Sequence, residues 1–451
     1  VIALRADGSS LRGTSRKPVV AALAVVAALT WALGVAPQPA GAGTGTALYV
    51  SPSGNDANPG TLSQPVRTIA HAQALVRQLD GNMTGDITVY LRGGSYPQSS
   101  TLAFDSRDSG TNGYTVHYSA YAGETPVLTG STQVTGWTPT NDPSLPAAVF
   151  QAPLTRDHKL RTLYVNGQRA TMTSRSIPSL GGYGTYSITA GQAPWAWWSS
   201  AQAQQSAGVT FYPDVKFNSS DLPANLANPQ NVELASDWQW QRHVVCVGSL
   251  ETPQSGYTGA VLQEPYGYIA QDMNWDAFYP NGTQNPSQLG SLTVFNVKQW
   301  LTQPGHFYFD QAQQLLYYYP RPGENMASAD VEAPTVQTLI DIRGTAAAPV
   351  HNLSFDGLLF EYGDYGLAQV GGSCGSSSIQ GAVNQIAFGS PNWHLDFYRT
   401  QDDFPAMVQL NHANTIAFTG DSIEHGGAAG LLIENDVSNI TWTSGLIEDL
   451  S

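Results

Sequence analysis

Between residues 331 and 451 the chain carries Asp396, Asp402, Asp403, Asp421, Glu424, Glu434, Asp436, Glu448 and Asp449. Carboxyl groups gathered on one surface raise one another's proton affinity, so one can stay protonated near neutral pH while its neighbour is ionised. Such a pair can protonate a leaving oxygen and attack, or activate water to attack, the adjoining carbon. That chemistry works at a separation of roughly 5–5.5 Å with retention of configuration and about 6.5–9.5 Å with inversion. Glu434 with Asp436, on the segment Leu432-Ile-Glu-Asn-Asp-Val, is the first choice. The reading sets them beside Glu424-His425 and Glu448-Asp449 on neighbouring turns of the chain. For each acid alone, a solvated strand surface that blocks edge pairing is the competing explanation.

Aromatic residues supply the other half of a candidate site. Trp195, Trp197 and Trp198 crowd into Ala193-Pro-Trp-Ala-Trp-Trp, and Trp393 precedes His394. Indole faces can stack on flat C–H surfaces, or they can pack one domain on another. His351, His394, His412 and His425 lack metal-ligand spacing, and only His425, beside Glu424, reads as a cleft residue. No metal site and no cofactor are expected, because CxxC, HExxH and GxGxxG motifs are missing.

The elements that must position these groups are strands. Leu353-Ser-Phe355 leads to Phe360-Glu361, Ile416-Ala-Phe418 to Ile423-Glu424, and Ile440-Thr-Trp442 to Ile447-Glu448. Apolar residues recur at offsets 0, 2 and 7, and glutamate at offset 8. The starts lie 63 and then 24 residues apart, and about 24 residues make one coil of a solenoid whose turns bury a shared apolar stripe. If offset 7 points inward, offset 8 points outward, and the glutamates form an external column. Further period-2 strands run through 86–91, 101–104, 114–121 and 126–130. One amphipathic helix is expected over Thr68–Leu79, with Thr68 as its cap. Residues 137–328 have another texture, rich in Trp and Gln, with Asn166-Gly167 as a hairpin turn and a second turn near Asp310–Gln314.

Composition agrees. The 451 residues hold 19 Lys and Arg against 34 Asp and Glu, a formal charge of −15, which gives nucleic acid no electrostatic route to the surface. Gly 45 and Pro 28 exceed ordinary usage and suit many turns. Arg12, Arg16 and Lys17, the apolar run Val19–Val35 and Ala40-Gly41-Ala42 read as an export signal with its cleavage site. A retained membrane anchor is the alternative. The expectation is a secreted protein, free of the membrane after cleavage. Cys246 and Cys374 could pair outside the cell, or Cys246 could be a buried thiol.

Tyr49-Val-Ser-Pro-Ser-Gly-Asn-Asp, Gln64-Pro-Val-Arg-Thr-Ile and Val89-Tyr-Leu-Arg-Gly-Gly-Ser-Tyr resemble the opening of extracellular right-handed parallel β-helix proteins. Leu163-Tyr-Val-Asn-Gly-Gln-Arg-Ala and Gln303-Pro-Gly-His-Phe-Tyr-Phe-Asp resemble the inserted domain of a subset similar to glycoside hydrolase family 141. The resemblance implies an all-β fold, a right-handed parallel β-helix interrupted by an inserted sandwich-like domain, and activity on xylan or fucosylated plant glycans. It implies catalytic aspartates on C-terminal coils and assigns them to no residue here. The expected organisation is a signal and linker at 1–46, first coils with a capping helix at 47–136, the insertion at 137–328, and further coils at 329–451, cut short at Ser451. The expected partner is a polysaccharide or oligosaccharide. A lyase or epimerase on the same scaffold, or a non-catalytic adhesin, is the alternative. Residues 331–451 offer a lyase no Lys and only Arg343 and Arg399 as a base.

Overall fold

A computed structural model describes residues 45–450, except for 184–185, 188–189, 191–209, 212–213, 239–240, 265–266, 268–290, 371–372, 380–381 and 385–400. Three sheets in which every strand pair is parallel organise the acid-bearing part of the chain. The first takes Thr46–Val50, Ile87–Leu91, Val116–Ala120, Val350–Asp356, Ala413–Thr419 and Ser438–Thr443 in that order. The second takes Gly94–Pro97, Pro126–Thr129, Leu359–Glu361, Ser422–Glu424 and Leu446–Ile447. The third takes Leu102–Phe104, Ile340–Arg343, Ala406–Asn411 and Ala429–Ile433. From residue 406 the chain visits the third, first and second sheets in rotation and then repeats the cycle.

Period 2 sorts the side chains. In Leu359–Glu361 the middle Phe360 is buried and its neighbours are half-buried; Ile423 is buried in the same way between Ser422 and Glu424. The inward residues form one core drawn from all three sheets, including Val89, Tyr118, Phe355 and Phe418, Leu128 and Phe360, and Ile342 and Leu410. Because strands pair in register, like residues stack. The Tyr118 and Phe355 rings lie 5.7 Å apart, Phe355 and Phe418 5.2 Å, and Phe418 and Trp442 5.3 Å. Each large ring buried this way contributes roughly 1.5–3 kcal/mol. The helix Ile69–Leu79 packs Ile69, Ala72 and Val76 into this core, and the Thr68 hydroxyl accepts the His71 amide at 3.1 Å.

Antiparallel sheets carry the intervening sequence. Ser131–Gln133, Val331–Pro334, Tyr164–Val165 and Gln168–Arg169 form one. Its hairpin turns at Asn166 (φ 51°) and Gly167 (φ 72°), the left-handed pair a two-residue turn requires. His306–Asp310 and Leu315–Tyr318 pair in another. Cores distinct from that of the parallel sheets lie around Phe217, Leu234 and Val294, and around Leu163, Phe307 and Tyr318. Cys246 and Cys374 are joined as a disulfide, Cα atoms 5.5 Å apart, which resolves the choice left by the sequence.

Candidate functional site

The glutamate column follows from the strand register. Thr129, Glu361 and Glu424 are direct partners across the second sheet, and the Glu448 amide donates to the Ile423 carbonyl, continuing the row. Strands in a sheet lie about 4.8 Å apart, and one carboxylate oxygen each of Glu361 and Glu424 lie within 4.8 Å of one another. The chain turns directly after the column. Tyr362 (φ 58°), His425 (φ 58°) and Asp449 (φ 48°) all occupy the left-handed region at this corner. That conformation costs a non-glycine residue of order 1–3 kcal/mol and is concentrated at functional sites.

The corner residues interlock. His425 and Tyr362 stack at 5.3 Å and 14°. His425 Nδ1 lies 2.7 Å from Asp449 Oδ2, while Arg169 Nε donates to Asp449 Oδ1 at 3.1 Å. Arg169 also donates to the Gly426 and Asp449 carbonyls and lies 5.0 Å over the Tyr164 ring. These contacts fix the histidine plane. Nδ1 is engaged by Asp449, which leaves Nε2 as the ring nitrogen outside that contact.

A second row comes from the antiparallel sheet. Gln133 is paired with Glu332, Glu332 with Tyr164, and Tyr164 with Arg169, so the four side chains leave one face in line. Asp330, Glu332, Glu361 and Tyr362 line a cleft of about 640 Å³ together with Thr129 and Ser131. The Ser131 hydroxyl donates to Glu332 Oε2 at 2.5 Å. Burial raises the pKa of Glu332 above the ordinary carboxyl range, opposed by the Ser131 hydrogen bond. Burial likewise raises that of Glu361; the His425 charge opposes this, and Glu424 and Asp330 add to it. One acid disposed to keep its proton therefore stands beside another on the next strand.

Sequence reasoning placed Glu424, His425, Glu448 and Asp449 together, and they do share this corner. Glu434 and Asp436 require correction, because they do not join the group. They follow the third-sheet strand Ala429–Ile433, at a different corner of the same pass. Glu434 Oε2 is held by Arg343 at 2.7 Å and by Asn411 at 3.0 Å, and Asp436 Oδ2 lies 3.2 Å from His412. Trp195, Trp197, Trp198 and Trp393 lie outside the described residues. Glu361 belongs to the column that the sequence shows but is not among the candidate acids the sequence singles out. Glu332, Tyr164 and Tyr362 gave no linear signal. The expectation of no metal-type spacing also meets a counter-observation, since one ligand atom each from Glu361, Glu424 and His425 lie within 4.8 Å of one another.

No family model matches the chain. Over 144 residues it is 30% identical to the uncharacterized protein YwoF of Bacillus subtilis (strain 168), covering 31% of this chain and 26% of that protein. Over 89 residues it is 38% identical to pectate lyase L of Paenibacillus polymyxa (strain SC2), covering 20% of this chain and 18% of the lyase. These matches thus span about a quarter or less of each relative. A solved glycoside hydrolase superposes with a TM-score of 0.63 at 20% identity, over 86% of this chain and 63% of its own. The chain shares that protein's fold.

Proposed function

We propose that this chain is the core of a secreted glycoside hydrolase built on a right-handed parallel β-helix. The three parallel sheets would be the faces of the helix, and the antiparallel sheets an insertion between its coils. One observation carries the reading: Glu361 and Glu424 are half-buried register partners on consecutive passes, with oxygens within 4.8 Å and the proton affinity of Glu361 raised. The spacing lies near the short, retaining range of roughly 5–5.5 Å. Glu361 then serves as the acid that protonates the glycosidic oxygen, and Glu424 as the nucleophile. Asp449 holds His425 against the pair, and Tyr362 with Glu332 forms the facing wall. The shared fold with a glycoside hydrolase supports this assignment.

The substrate we favour is a neutral plant cell-wall-type polysaccharide. Asp330, Glu332, Glu361 and Glu424 would repel a polyuronate from the same surface. The local similarity to a pectate lyase supports a second reading, uronate elimination. That reaction needs a base near the acids. Among the described residues Arg169 is a cation at this corner, and its guanidinium is bonded to Asp449. The experiment is a panel of neutral and acidic glycans, with reducing ends and ultraviolet absorbance read together. Neutral reducing sugar, lost by a factor of about 10²–10⁴ in Glu361→Gln, is the expected result. An unsaturated product, or full turnover in that variant, would remove the proposal.

A further inference from the structure

We propose that Glu361, Glu424 and His425 form a binding site for a borderline divalent cation of the zinc type, with Asp449 as the carboxylate that orients the histidine. The three ligand atoms lie within 4.8 Å of one another, so small side-chain rotations bring them to a shared ion at about 2.0–2.2 Å. A nitrogen in the set distinguishes the site from those of calcium and magnesium, which take oxygen ligands. The Nδ1–Asp449 contact of 2.7 Å fixes the ring and leaves Nε2 for the metal, the carboxylate–histidine relay found behind most metal-bound histidines.

Tyr164 is the independent observation that something is to be bound here. It is fully buried, and its hydroxyl has no hydrogen-bond partner. Its ring packs 4.9 Å from His425 and 5.0 Å from Tyr362. Its register with Glu332 sends the side chain off the sheet face that meets the corner, where Arg169, Asp449 and Glu361 are its charged neighbours. Buried hydroxyls are almost always satisfied. A water completing a four-coordinate shell beside the three protein ligands would give this one its acceptor. The cation and a glycosidic oxygen would compete for the same two carboxylates, so the loaded form would be closed to hydrolysis.

The test is calorimetric titration of the chelator-stripped full chain with zinc chloride and, separately, calcium chloride, without glycan. One zinc per chain is expected, with heats that differ between buffers because ligand protons are released. Glu424→Gln should weaken zinc binding at least tenfold, and Asp449→Asn by about 10–100-fold. Glu434→Gln, which alters an acid at another corner, should bind as the parent does. Each variant is checked for the parent's unfolding transition in the metal-free state. His425→Gln provides a second ligand substitution should Glu424→Gln fail that check. Absence of one-site binding, calcium binding as tight as zinc, or parental affinity in the ligand variants would overturn the proposal. Because binding is read without substrate, a chain that binds zinc but cleaves nothing retires the hydrolase reading alone. A chain that cleaves glycan but binds no zinc retires only this one.

Discussion

Asp364, two residues past the Tyr362 corner, closes a buried network that ties the antiparallel sheets to the parallel ones. Its Oδ2 accepts from Arg156 at 2.5 Å and lies 2.8 Å from His158 Nε2. Arg156 also donates to the Pro334 carbonyl, at the end of the strand that carries Glu332. The Arg156 and Asp364 side chains are 2% and 3% exposed, so neither charge can turn to water. Removing one partner from such a pair costs about 3–5 kcal/mol, because it leaves the other charge buried alone. Asp364→Ala should therefore destabilise the chain by that amount. The double replacement Arg156→Met/Asp364→Leu, which removes both charges, should recover most of the loss. The assay is urea unfolding followed by tryptophan fluorescence, comparing midpoints at equal slope. The parent should also show a pH dependence. The hydrogen bond to Asp364 raises the pKa of His158, so its contribution is full below the unfolded pKa near 6.5 and is lost as pH rises through the folded value. A single-variant loss below about 1 kcal/mol, or a double variant as unstable as the single, would refute the reasoning.

Asp421 is fully buried, accepts the Leu358 and Thr419 amides, and is pushed by burial up to about 7. The folded state holds this proton more tightly than the unfolded one, so stability should fall as pH rises from about 4 through about 7. Asp421→Asn should flatten that slope in urea titrations while costing about 1–3 kcal/mol at acid pH, since one of two amides loses its acceptor. The disulfide Cys246–Cys374 spans 128 residues and closes a small core with Val244 and Leu367. Replacing both cysteines by serine should cost about 2–4 kcal/mol in the same unfolding measurement.

The strands and the outward glutamate column were legible because period 2 is a local property. Offsets 7 and 8 are adjacent residues, so burial of Phe360 and Ile423 fixes the outward direction of Glu361 and Glu424. Period 2 does not say on which of three sheets a residue lies. Glu434 and Asp436 share the outward character and the same pass, yet they stand at another corner because ten residues separate Glu424 from Glu434 along the chain. Tyr164 and Glu332 were illegible for another reason. Val331–Pro334 pairs with Ser131–Gln133 and with Tyr164–Val165, contacts some 200 and 167 residues apart that no local pattern encodes. The left-handed corner at Tyr362, His425 and Asp449 was equally hidden, because three different residue types share one backbone conformation there. Of the segment 1–46 read as export signal and linker, residues 1–44 fall outside the described part; among the described residues no helix is long and apolar enough to cross a membrane.

The spacing of Glu361 and Glu424 makes a stereochemical statement. On the proposed reading, two carboxylates one strand apart would leave no room for a water between acid and acceptor, so a glycosidic bond would be cleaved through a covalent intermediate with net retention. Proton NMR of the first-formed sugar, recorded before mutarotation, reads this directly. The account predicts a product with the anomeric configuration of the substrate, and loss of that product in Glu424→Gln. An inverted first product, or retained turnover without Glu424, would contradict it.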